Sequence, residues 1–464
     1  MGKYFGTDGF RGEANVTVTA EQAFALGRFF GWYLWEDKRR RGFPDARVRV
    51  VIGKDARRSG YMLEYALTAG LTASGADAYL LHVTTTPSVS YVTRSERFDL
   101  GVMISASHNP YTDNGIKLLS HTGEKLSEEL LSLAEDYLDG TLVAFGEHWQ
   151  TLPHATGARI GRTVDYIAGR NRYMGYLISL ATRSFRGVRV GLDCANGSTW
   201  SLARGIYEAL GATVYTIHAE PNGTNINEGA GSTHPEGLQK LVRERGLDIG
   251  FAFDGDGDRC IAVDENGEVV GGDQILYVAG RYLAGRGELP NRTVVATVMS
   301  NRGLVHSLEK EGIACALTPV GDKHVYAYMS KHGCALGGEA SGHVIFGKHA
   351  CTGDGLLTSL KLMEICLTEE KPLGLLTAGC KCYPQLLENV GCRAPARLAC
   401  DAAVQEAVKR AEASLGGGRL LVRASGTEEV VRILAEGEDR ENLARAVAEI
   451  RQVIIERETV CAEL

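Results

Sequence analysis

Apolar and polar residues follow one another along this chain in blocks that predict alternating strands and helices. The run VRVVIGKD, which begins at Val48, predicts a buried strand. It is followed by the predicted helix YMLEYALTAGLTASGA and by the predicted strands DAYLLHV and DLGVMISAS. This order of elements is typical of an α/β domain.

The same order starts again near Val188 and near Val294. VRVGLDCANG predicts a strand, LARGIYEALG the helix after it, TVYTIH the next strand, and TVVATVMSN the first strand of a third unit. Each unit has strands that run into loops rich in Gly, Ser, Asn or Asp, which is where open α/β sheets bind their ligands. Three α/β units therefore account for most of the chain.

The pattern changes after Lys371. EKPLGLL is predicted to be a connector, and it precedes a helix (DAAVQEAVKRAEASL), two strands (GRLLVRAS and VVRILAEGE) and a second helix (ENLARAVAEIRQVIIE). These elements predict a compact α+β unit of about ninety residues.

Composition excludes several classes of protein. The chain has 464 residues, so a prior of roughly 150 residues per domain suggests about three domains, or four if one is small. Its 44% hydrophobic and 23% charged residues are those of an ordinary globular protein, and its net charge of −7 argues against a general nucleic-acid surface. No apolar run approaches the ~18 residues of a membrane span, and the first residues lack the layout of a signal peptide. The eleven cysteines show no paired zinc-ligand spacing and are predicted to be reduced thiols of a cytoplasmic protein.

The sharpest chemical signal is the stretch FAFDGDGDRCIAV. Asp254, Asp256 and Asp258 alternate with two glycines between apolar strands, so the three carboxylates converge. Like charges that close raise one another's pKa unless a cation compensates them. Oxygen ligands without His or Cys favour Mg²⁺, which proteins hold with a few carboxylates and a substrate phosphate.

Two other interpretations fit this acidic stretch less well. A calcium-binding EF-hand needs Gly at its sixth position, where this chain has Arg259, and it needs helices where this chain has predicted strands. A plain acidic turn seldom needs three carboxylates between buried strands.

The hexapeptide SASHNP contains the candidate nucleophile. Ser107 comes just after the predicted strand GVMIS, so its hydroxyl stands at the carboxyl end of a strand. Facing a bound Mg²⁺, a hydroxyl there can accept a phosphoryl group and divide one hard displacement into two easier ones. Taken alone, the hexapeptide fits a Ser/Asn/Pro turn equally well. A serine hydrolase is disfavoured because the chain has no G-x-S-x-G elbow.

A second polar loop, GGEASGHVIF, offers groups for a sugar. Glu339, Ser341 and His343 occupy alternate positions, so in an extended loop their side chains face one ligand. A carboxylate and a hydroxyl suit sugar hydroxyls or an amine. A solvated glycine-rich bend is the alternative.

A third loop, VRASGTEEVVR, contains the parts of a phosphate cradle. Arg423 supplies a fork of donors beside the hydroxyls and backbone N–H groups of Ser425, Gly426 and Thr427. The alternative is a tight turn with a surface arginine. The bend YFGTDGFRG adds Thr7 and Arg11, which are useful near a phosphate. Lys117 follows Gly115 and is a candidate proton donor or charge stabiliser, with a solvated surface lysine as the alternative.

Four motifs, SASHNP, DGDGDR, GGEASGH and RASGTE, occur in this order along the chain. Together they resemble the α-D-phosphohexomutase superfamily over essentially the whole chain. Within it, FGTDGFRG, GKDARRSG, GTNIN, TVMSNRGL, VGDKHV and TGDGLL are most similar to the bacterial phosphoglucosamine mutases. Phosphomannomutases and phosphoglucomutases of the same superfamily are the alternative.

The resemblance implies four domains around a central cleft: three α/β/α domains with mixed sheets and a C-terminal α+β domain of the TATA-binding-protein-like type. We expect the phosphoserine domain at residues 1–155, a second α/β/α domain at 156–253, a metal-loop and sugar-binding domain at 254–372, and a phosphate-binding domain at 373–464.

The resemblance also implies roles for residues at matching motif positions. Ser107 would be the phosphoserine and would hold Mg²⁺ together with Asp254, Asp256 and Asp258. Proton transfer and phosphate charge are associated with Arg11, His108, Lys117, Arg259 and His343. The sugar would be bound by Glu339, Ser341, Gly321 and Asp322, and the distal phosphate by Arg423, Ser425, Gly426 and Thr427.

The implied reaction interconverts glucosamine 6-phosphate and glucosamine 1-phosphate through a phosphoserine enzyme and a 1,6-bisphosphate, on the way to UDP-N-acetylglucosamine. We expect one Mg²⁺ per chain, glucosamine 1,6-bisphosphate as activator, a small sugar phosphate as the partner, no nucleic acid or membrane, and a homodimer as the candidate assembly. A phosphatase and a non-catalytic sugar-phosphate-binding protein are the alternatives from other classes.

The sequence departs from the usual subfamily sequence at three places, with Ala340 in place of Gln, Glu429 in place of Pro, and Lys323–His324 in place of Arg-Tyr. These departures leave the expected chemical groups intact.

Overall fold

The computed structural model describes residues 2–6, 8–416, 418–425 and 429–462, with the backbone alone for residues 460–462. No helix in this part of the chain is long and apolar enough to cross a lipid bilayer.

The first α/β region contains a seven-stranded sheet. Its elements are β1 (Phe5–Gly6), β2 (Gly9–Glu13), α1 (Ala20–Arg40), β3 (Arg49–Lys54), α2 (Ser59–Ala73), β4 (Asp77–Val83), α3 (Thr86–Ser95), β5 (Leu100–Ile104), β6 (Asp113–Ser120), α4 (Glu128–Leu138), β7 (Val143–Ala144), β8 (Glu147–His148) and β9 (Thr163–Asp165). The strand order is β1-β2-β6-β5-β3-β4-β9, and β7 and β8 form a separate hairpin.

Helices cover both faces of this first sheet. Val50 and Ile52 of β3 belong to one buried cluster with Phe29 of α1. Val51 points to the opposite face and packs with Val89 of α3. A strand that is buried on both faces has no polar side, which is why residues 50–53 at the centre of β3 form an uninterrupted apolar run.

The second region contains a five-stranded sheet. Its elements are α5 (Ile167–Leu180), β10 (Arg189–Asp193), α6 (Ala203–Ala209), β11 (Thr213–Ile217), α7 (Glu236–Arg245), β12 (Ile249–Phe253), β13 (Cys260–Val263) and β14 (Val269–Val270). The strand order is β11-β10-β12-β13-β14.

The third region contains a four-stranded sheet of order β16-β15-β17-β18. The elements of this region of the chain are α8 (Gly272–Gly285), β15 (Thr293–Thr297), α9 (Arg302–Lys310), β16 (Ala314–Thr318), α10 (Asp322–His332), β17 (Leu336–Gly338), β18 (Val344–Phe346), α11 (Gly355–Glu369) and α12 (Leu373–Thr377).

The three sheets share the order of a four-stranded core, which is β4-β3-β5-β6 in the first sheet, β11-β10-β12-β13 in the second and β16-β15-β17-β18 in the third. Each contains a parallel pair (β3 with β5, β10 with β12, β15 with β17) whose second strand turns back into an antiparallel neighbour (β6, β13 or β18). The turns after β5, β12 and β17 carry SASHNP, DGDGDR and EASGH respectively. Each candidate chemical motif of the α/β regions therefore occupies the same position in its own sheet.

A second compact unit contains residues 300–314 and the chain from Gly379 onward. Besides α9, its elements are β19 (Gln385–Gly391), α13 (Pro395–Ala399), α14 (Ala402–Ala413), β20 (Arg419–Ala424), β21 (Val430–Glu436) and α15 (Arg440–Ala462). The antiparallel sheet has the order β19-β21-β20, and Ile433 of β21 packs with Val404 of α14 and Ile450 of α15.

Three sets of contacts in the structure cross the expected domain boundaries. Strand β9 pairs with β4 in the first sheet, so that sheet continues past residue 155. A boundary after residue 253 would divide the hydrogen-bonded hairpin of β12 and β13, because the acidic loop belongs to the second sheet and not to the third. Residues 300–314 lie with the C-terminal unit, since Asn301 hydrogen-bonds the backbone of Tyr383. The predicted connector EKPLGLL contains the short helix α12.

Helices α1 and α2 touch backbone to backbone at two glycines. A Cβ on Gly70 would lie 2.1 Å from the carbonyl oxygen of Phe24, and one on Gly27 would lie 2.3 Å from that of Leu67. Neither backbone can move without separating the two helices.

We therefore expect Gly70→Ala to lower the unfolding temperature, because overpacking costs about 1–3 kcal/mol. This reverses the usual effect of alanine in a helix. Gly175→Ala is the matched control: Gly175 lies in α5 with no atom within 4 Å of the added Cβ, so the change should stabilise by about 0.5–1 kcal/mol. Thermal unfolding followed by circular dichroism measures both, and a Gly70→Ala protein as stable as wild type contradicts the prediction.

Candidate active site

Ser107 lies in the turn that leaves β5, with its side chain directed at the second sheet. The residue is buried and its backbone is left-handed, with φ of +52°. Its hydroxyl donates a hydrogen bond of 2.5 Å to Oδ2 of Asp254, and its N–H donates to Oγ of Ser105 at 2.9 Å. A left-handed backbone is uncommon for serine, so the surrounding contacts fix this turn.

The three aspartates of DGDGDR lie together in the turn between β12 and β13. Asp254, Asp256 and Asp258 are all buried, and each offers an oxygen within 4.8 Å of the others. Gly257, with φ of +71°, permits the tight turn; a Cβ there would lie 2.7 Å from a methyl group of Thr85.

Lys117 of β6 compensates much of the negative charge of these carboxylates. Its Nζ donates to Asp256 and lies 3.5 Å from Oδ2 of Asp258. Burial and the charge of Asp258 act to raise the pKa of Asp256, but Lys117 brings it below its ordinary value. Asp254 has no such contact, and burial together with the charges of Asp258 and Asp256 raises its pKa well above the usual range.

The donor set fits a hard divalent cation. Oδ1 of Asp256 and Oδ1 of Asp258 are buried and have no hydrogen-bond partner within the described residues. A buried carboxylate oxygen without a partner is costly, and a cation is the group that removes this cost. Because all the candidate ligands are oxygens, the cluster could hold a metal ion of the Mg²⁺ type.

The loop between β17 and β18 brings the third motif to the same site. His343 is buried; the N–H of Gly353 donates to its Nε2 at 2.9 Å, and its Nδ1 lies 3.7 Å from Oδ2 of Asp258. Oε1 of Glu339 accepts the N–H of Gly321 at 3.1 Å. Oγ of Ser341 is buried without a hydrogen-bond partner in the described part of the chain.

Arg11 and Arg259 add positive charge near the serine turn, and their charge favours the neutral form of His108. Arg11 donates from Nε to the carbonyl of Asp8 at 3.1 Å. Burial lowers the pKa of His108, and the charges of Arg259 and Arg11 lower it further. Arg259 lies 3.9 Å from Oδ1 of Asp258, so it is an ion-pair neighbour of the acidic cluster.

The candidate phosphate cradle lies in the C-terminal unit. Arg423 of β20 is exposed and pairs directly with Arg432 of β21 across the sheet. The N–H of Ser425 donates to the carbonyl of Val430 at 3.0 Å. Gly426 and Thr427, and Thr7 near the N-terminus, lie outside the described residues. The two arginines therefore occupy directly opposite positions on one face of the antiparallel sheet.

The first unit thus brings together three of the predicted motifs. Its gathered residues are Ser107, His108, Lys117, Asp254, Asp256, Asp258, Arg259 and His343, and around them lie Arg11 of β2, Asp322 at the start of α10, and Gly321, Glu339 and Ser341 in loops.

Sequence analysis missed two side chains of this site. Thr86, at the start of α3, donates its hydroxyl to Oδ2 of Asp256. Lys125 binds Oδ1 of Asp322 at 2.6 Å and Oδ1 of Asp8 at 3.0 Å. Threonines at a helix start usually cap the helix, and a lysine in a polar loop is usually solvated, so neither had a distinguishing signal.

Sequence profiles of one protein family match the chain in four consecutive segments. They are described as phosphoglucomutase/phosphomannomutase α/β/α domain I (residues 2–140), domain II (171–267), domain III (271–383) and C-terminal domain (387–453). Together with the sheets described above, they confirm the predicted fold class.

Curated relatives agree over nearly the full length. The chain is 56% identical over 455 residues to a phosphoglucosamine mutase of Lachnospira eligens and 47% identical over 455 residues to that of Bacillus subtilis, with 98% of each chain covered in both cases.

Solved structures share the fold at low sequence identity. A phosphoglucomutase/phosphomannomutase family protein of Burkholderia thailandensis is 24% identical, covers 99% of this chain and 98% of its own, and gives a TM-score of 0.77. The N-acetylphosphoglucosamine mutase of Aspergillus fumigatus, solved with GlcNAc-6P and magnesium, is 17% identical, with coverages of 98% and 96% and a TM-score of 0.67. From the identity to its curated relatives and from its four matched domains, the chain belongs to the phosphoglucosamine mutase family of the α-D-phosphohexomutase superfamily, as its motifs predicted.

Proposed function

We propose that the protein is a mutase that interconverts glucosamine 6-phosphate and glucosamine 1-phosphate. The observation that carries the proposal is the hydrogen bond from Ser107 to Asp254, because it joins a candidate phosphoryl carrier to a buried cluster of carboxylates. Full-length relatives named phosphoglucosamine mutase support the choice of sugar.

The chemistry begins with the phosphorylated form of Ser107. The bond between phosphorus and Oγ breaks while phosphorus bonds the free hydroxyl of the sugar phosphate, whose proton leaves for the site. The product is glucosamine 1,6-bisphosphate. After the sugar turns around, its other phosphoryl group returns to Oγ, and the sugar oxygen regains a proton. No phosphate is gained or lost over the cycle.

Each set of side chains has one task in this cycle. Lys117 fixes the carboxylates of Asp256 and Asp258 beside the serine. Glu339 and Ser341 are assigned to the sugar, and the loop of Gly321 and Asp322 supports them.

The phosphate that is not in transfer is assigned to Arg423 with Ser425, Gly426 and Thr427. Arginine and hydroxyl groups recognise the anion and tolerate either orientation of the sugar. Arg432 joins this group because it faces Arg423 across the sheet.

One Mg²⁺ per chain is the metal we assign to Asp254, Asp256 and Asp258 with an oxygen on Ser107; when bound it supplies positive charge to the phosphoryl oxygens. Arg11, His108, Arg259 and His343 are assigned to the remaining charge and to proton transfer. Cytoplasmic location and a homodimer remain predictions.

Incubation with glucosamine 6-phosphate, Mg²⁺ and a trace of glucosamine 1,6-bisphosphate should yield glucosamine 1-phosphate by ³¹P NMR. Glucose and mannose phosphates should turn over more slowly.

Ser107→Ala should be inactive yet folded, whereas Ser90→Ala, which removes a buried hydroxyl bound to the carbonyl of Gly123, should remain active. Inorganic phosphate as the main product would identify a phosphatase, and an active Ser107→Ala protein would refute the role of the serine.

Asp256→Asn should weaken Mg²⁺ binding and activity together. Mutation of a residue that only supports a metal ligand costs roughly 10–100-fold in affinity or activity. We expect a larger decrease in both quantities here, because Asp256 is assigned as a ligand itself. Titration calorimetry with Mg²⁺ alone and steady-state kinetics measure the two effects. Asp264→Asn is the control, since this buried aspartate holds N–H groups of the next turn at 2.8 and 2.9 Å. Equal Mg²⁺ affinity in Asp256→Asn and wild type contradicts the assignment.

Arg423→Ala should weaken binding of glucosamine 1-phosphate by about 1.5–3 kcal/mol, the range for a lost charged hydrogen bond. The change should appear in the dissociation constant measured by calorimetry. Arg410→Ala removes an exposed arginine of α14 that pairs with Glu406 and Glu449, and it should bind like wild type. Unchanged affinity in Arg423→Ala removes this residue from the cradle.

A further inference from the structure

Two motifs of the chain have no task in the proposed reaction, yet both touch the turn that carries Ser107. GKDARRSG contains Arg57, just after β3, and GTNIN contains Asn227, in the loop that follows β11. Arg57 is fully buried and Asn227 is 9% exposed, so both side chains are committed to contacts inside the protein.

All the N–H groups of the Arg57 side chain donate hydrogen bonds, either to this part of the backbone or to Asp55. Arginine has five N–H groups. Nε donates to Oδ2 of Asp55 at 2.8 Å, and the other four donate to backbone carbonyls of the serine turn and of the first residue of β6. These acceptors are the carbonyls of Ser107 at 2.8 Å, Asn109 at 2.9 Å, Asp113 at 3.0 Å, and Pro110.

Asp55 extends the same support to the other side of the serine. Its Oδ2 accepts the hydroxyl of Ser105 at 2.7 Å, and Oγ of Ser105 accepts the N–H of Ser107 at 2.9 Å. The peptide groups before and after Ser107 are therefore both held by one buried ion pair.

Asn227 holds the same turn from the second sheet. Its Nδ2 donates to the carbonyl of Ser107 at 2.8 Å and to that of Asn109 at 3.0 Å, the two carbonyls that Nη2 of Arg57 also binds. The backbone of Gly255, next to Asp254, packs against this point, since a Cβ there would lie 2.5 Å from the carbonyl of Ser107. Contacts from the first and second sheets thus converge on the carbonyl group of Ser107.

We propose that Arg57 and Asn227 are positioning residues that hold Ser107 in its left-handed conformation from two sides and so set the distance from its oxygen to Asp254. Neither is a catalytic residue, because both bind carbonyls and not the reacting oxygen. The inference rests on the proposed phosphoserine reaction.

The test uses Asn227→Ala and Arg57→Lys in the full chain. Misplacement of a reacting group by about 1 Å can cost on the order of a hundredfold in rate, so we expect kcat to fall by about that factor while KM for glucosamine 1-phosphate is unchanged. Arg28→Lys is the matched control. Arg28 is also a buried arginine of the first region that binds backbone carbonyls (those of Ala73, Leu152 and Pro153), but it lies away from the serine turn.

A second measurement separates positioning from stability. After treatment with glucosamine 1,6-bisphosphate, the ³¹P NMR resonance of the phosphoserine should shift or broaden in both variants and keep its wild-type position in Arg28→Lys. Circular dichroism establishes that each variant is folded. If Arg57→Lys does not fold, Asn227→Ala alone decides the question, because it removes no charge.

Wild-type kcat and an unchanged resonance in folded Asn227→Ala would overturn the proposal, and so would an equal loss of kcat in Arg28→Lys. Turnover by the wild-type protein distinguishes this result from failure of the proposed function, because the wild-type protein would then convert no glucosamine phosphate.

Discussion

The concentration of three carboxylates in one buried turn is the constraint on which the rest of the site depends. Asp254, Asp256 and Asp258 cannot all remain charged at this separation without compensation. Lys117 supplies part of it from the first sheet, and the unsatisfied oxygens leave the remainder to a cation. The serine hydroxyl completes the cluster through its hydrogen bond to Asp254, so the contacts that compensate the acidic turn also fix the position of the hydroxyl.

Much of the local structure could be predicted from the sequence. DAYLLHV is strand β4 over its whole length, and the helices and strands after Asp401 lie where periodicity places them. The convergence of Ser107 on the aspartates was also predictable, because both motifs follow apolar strands at the edge where such sheets bind ligands.

The misses have a common physical cause. The strand after the acidic loop can either pair with its own sheet or begin the next sheet. Pairing between distant segments decides between the two, and a local pattern of apolar residues does not predict that pairing. For the same reason, the partners of Thr86, Lys125, Arg57 and Asn227 were invisible: each of these side chains binds a group supplied from far along the chain.

The shared strand order of the three sheets has a consequence for how activity arises during folding. The serine, the acidic cluster and the loop of Glu339 and Ser341 each occupy one reverse turn of a different sheet. A newly synthesised chain with one finished sheet therefore carries a hydroxyl without a cation site, or a cation site without a hydroxyl. The contacts from Ser107 to Asp254 and from Lys117 to Asp256 form only when the first and second sheets have both folded and packed together.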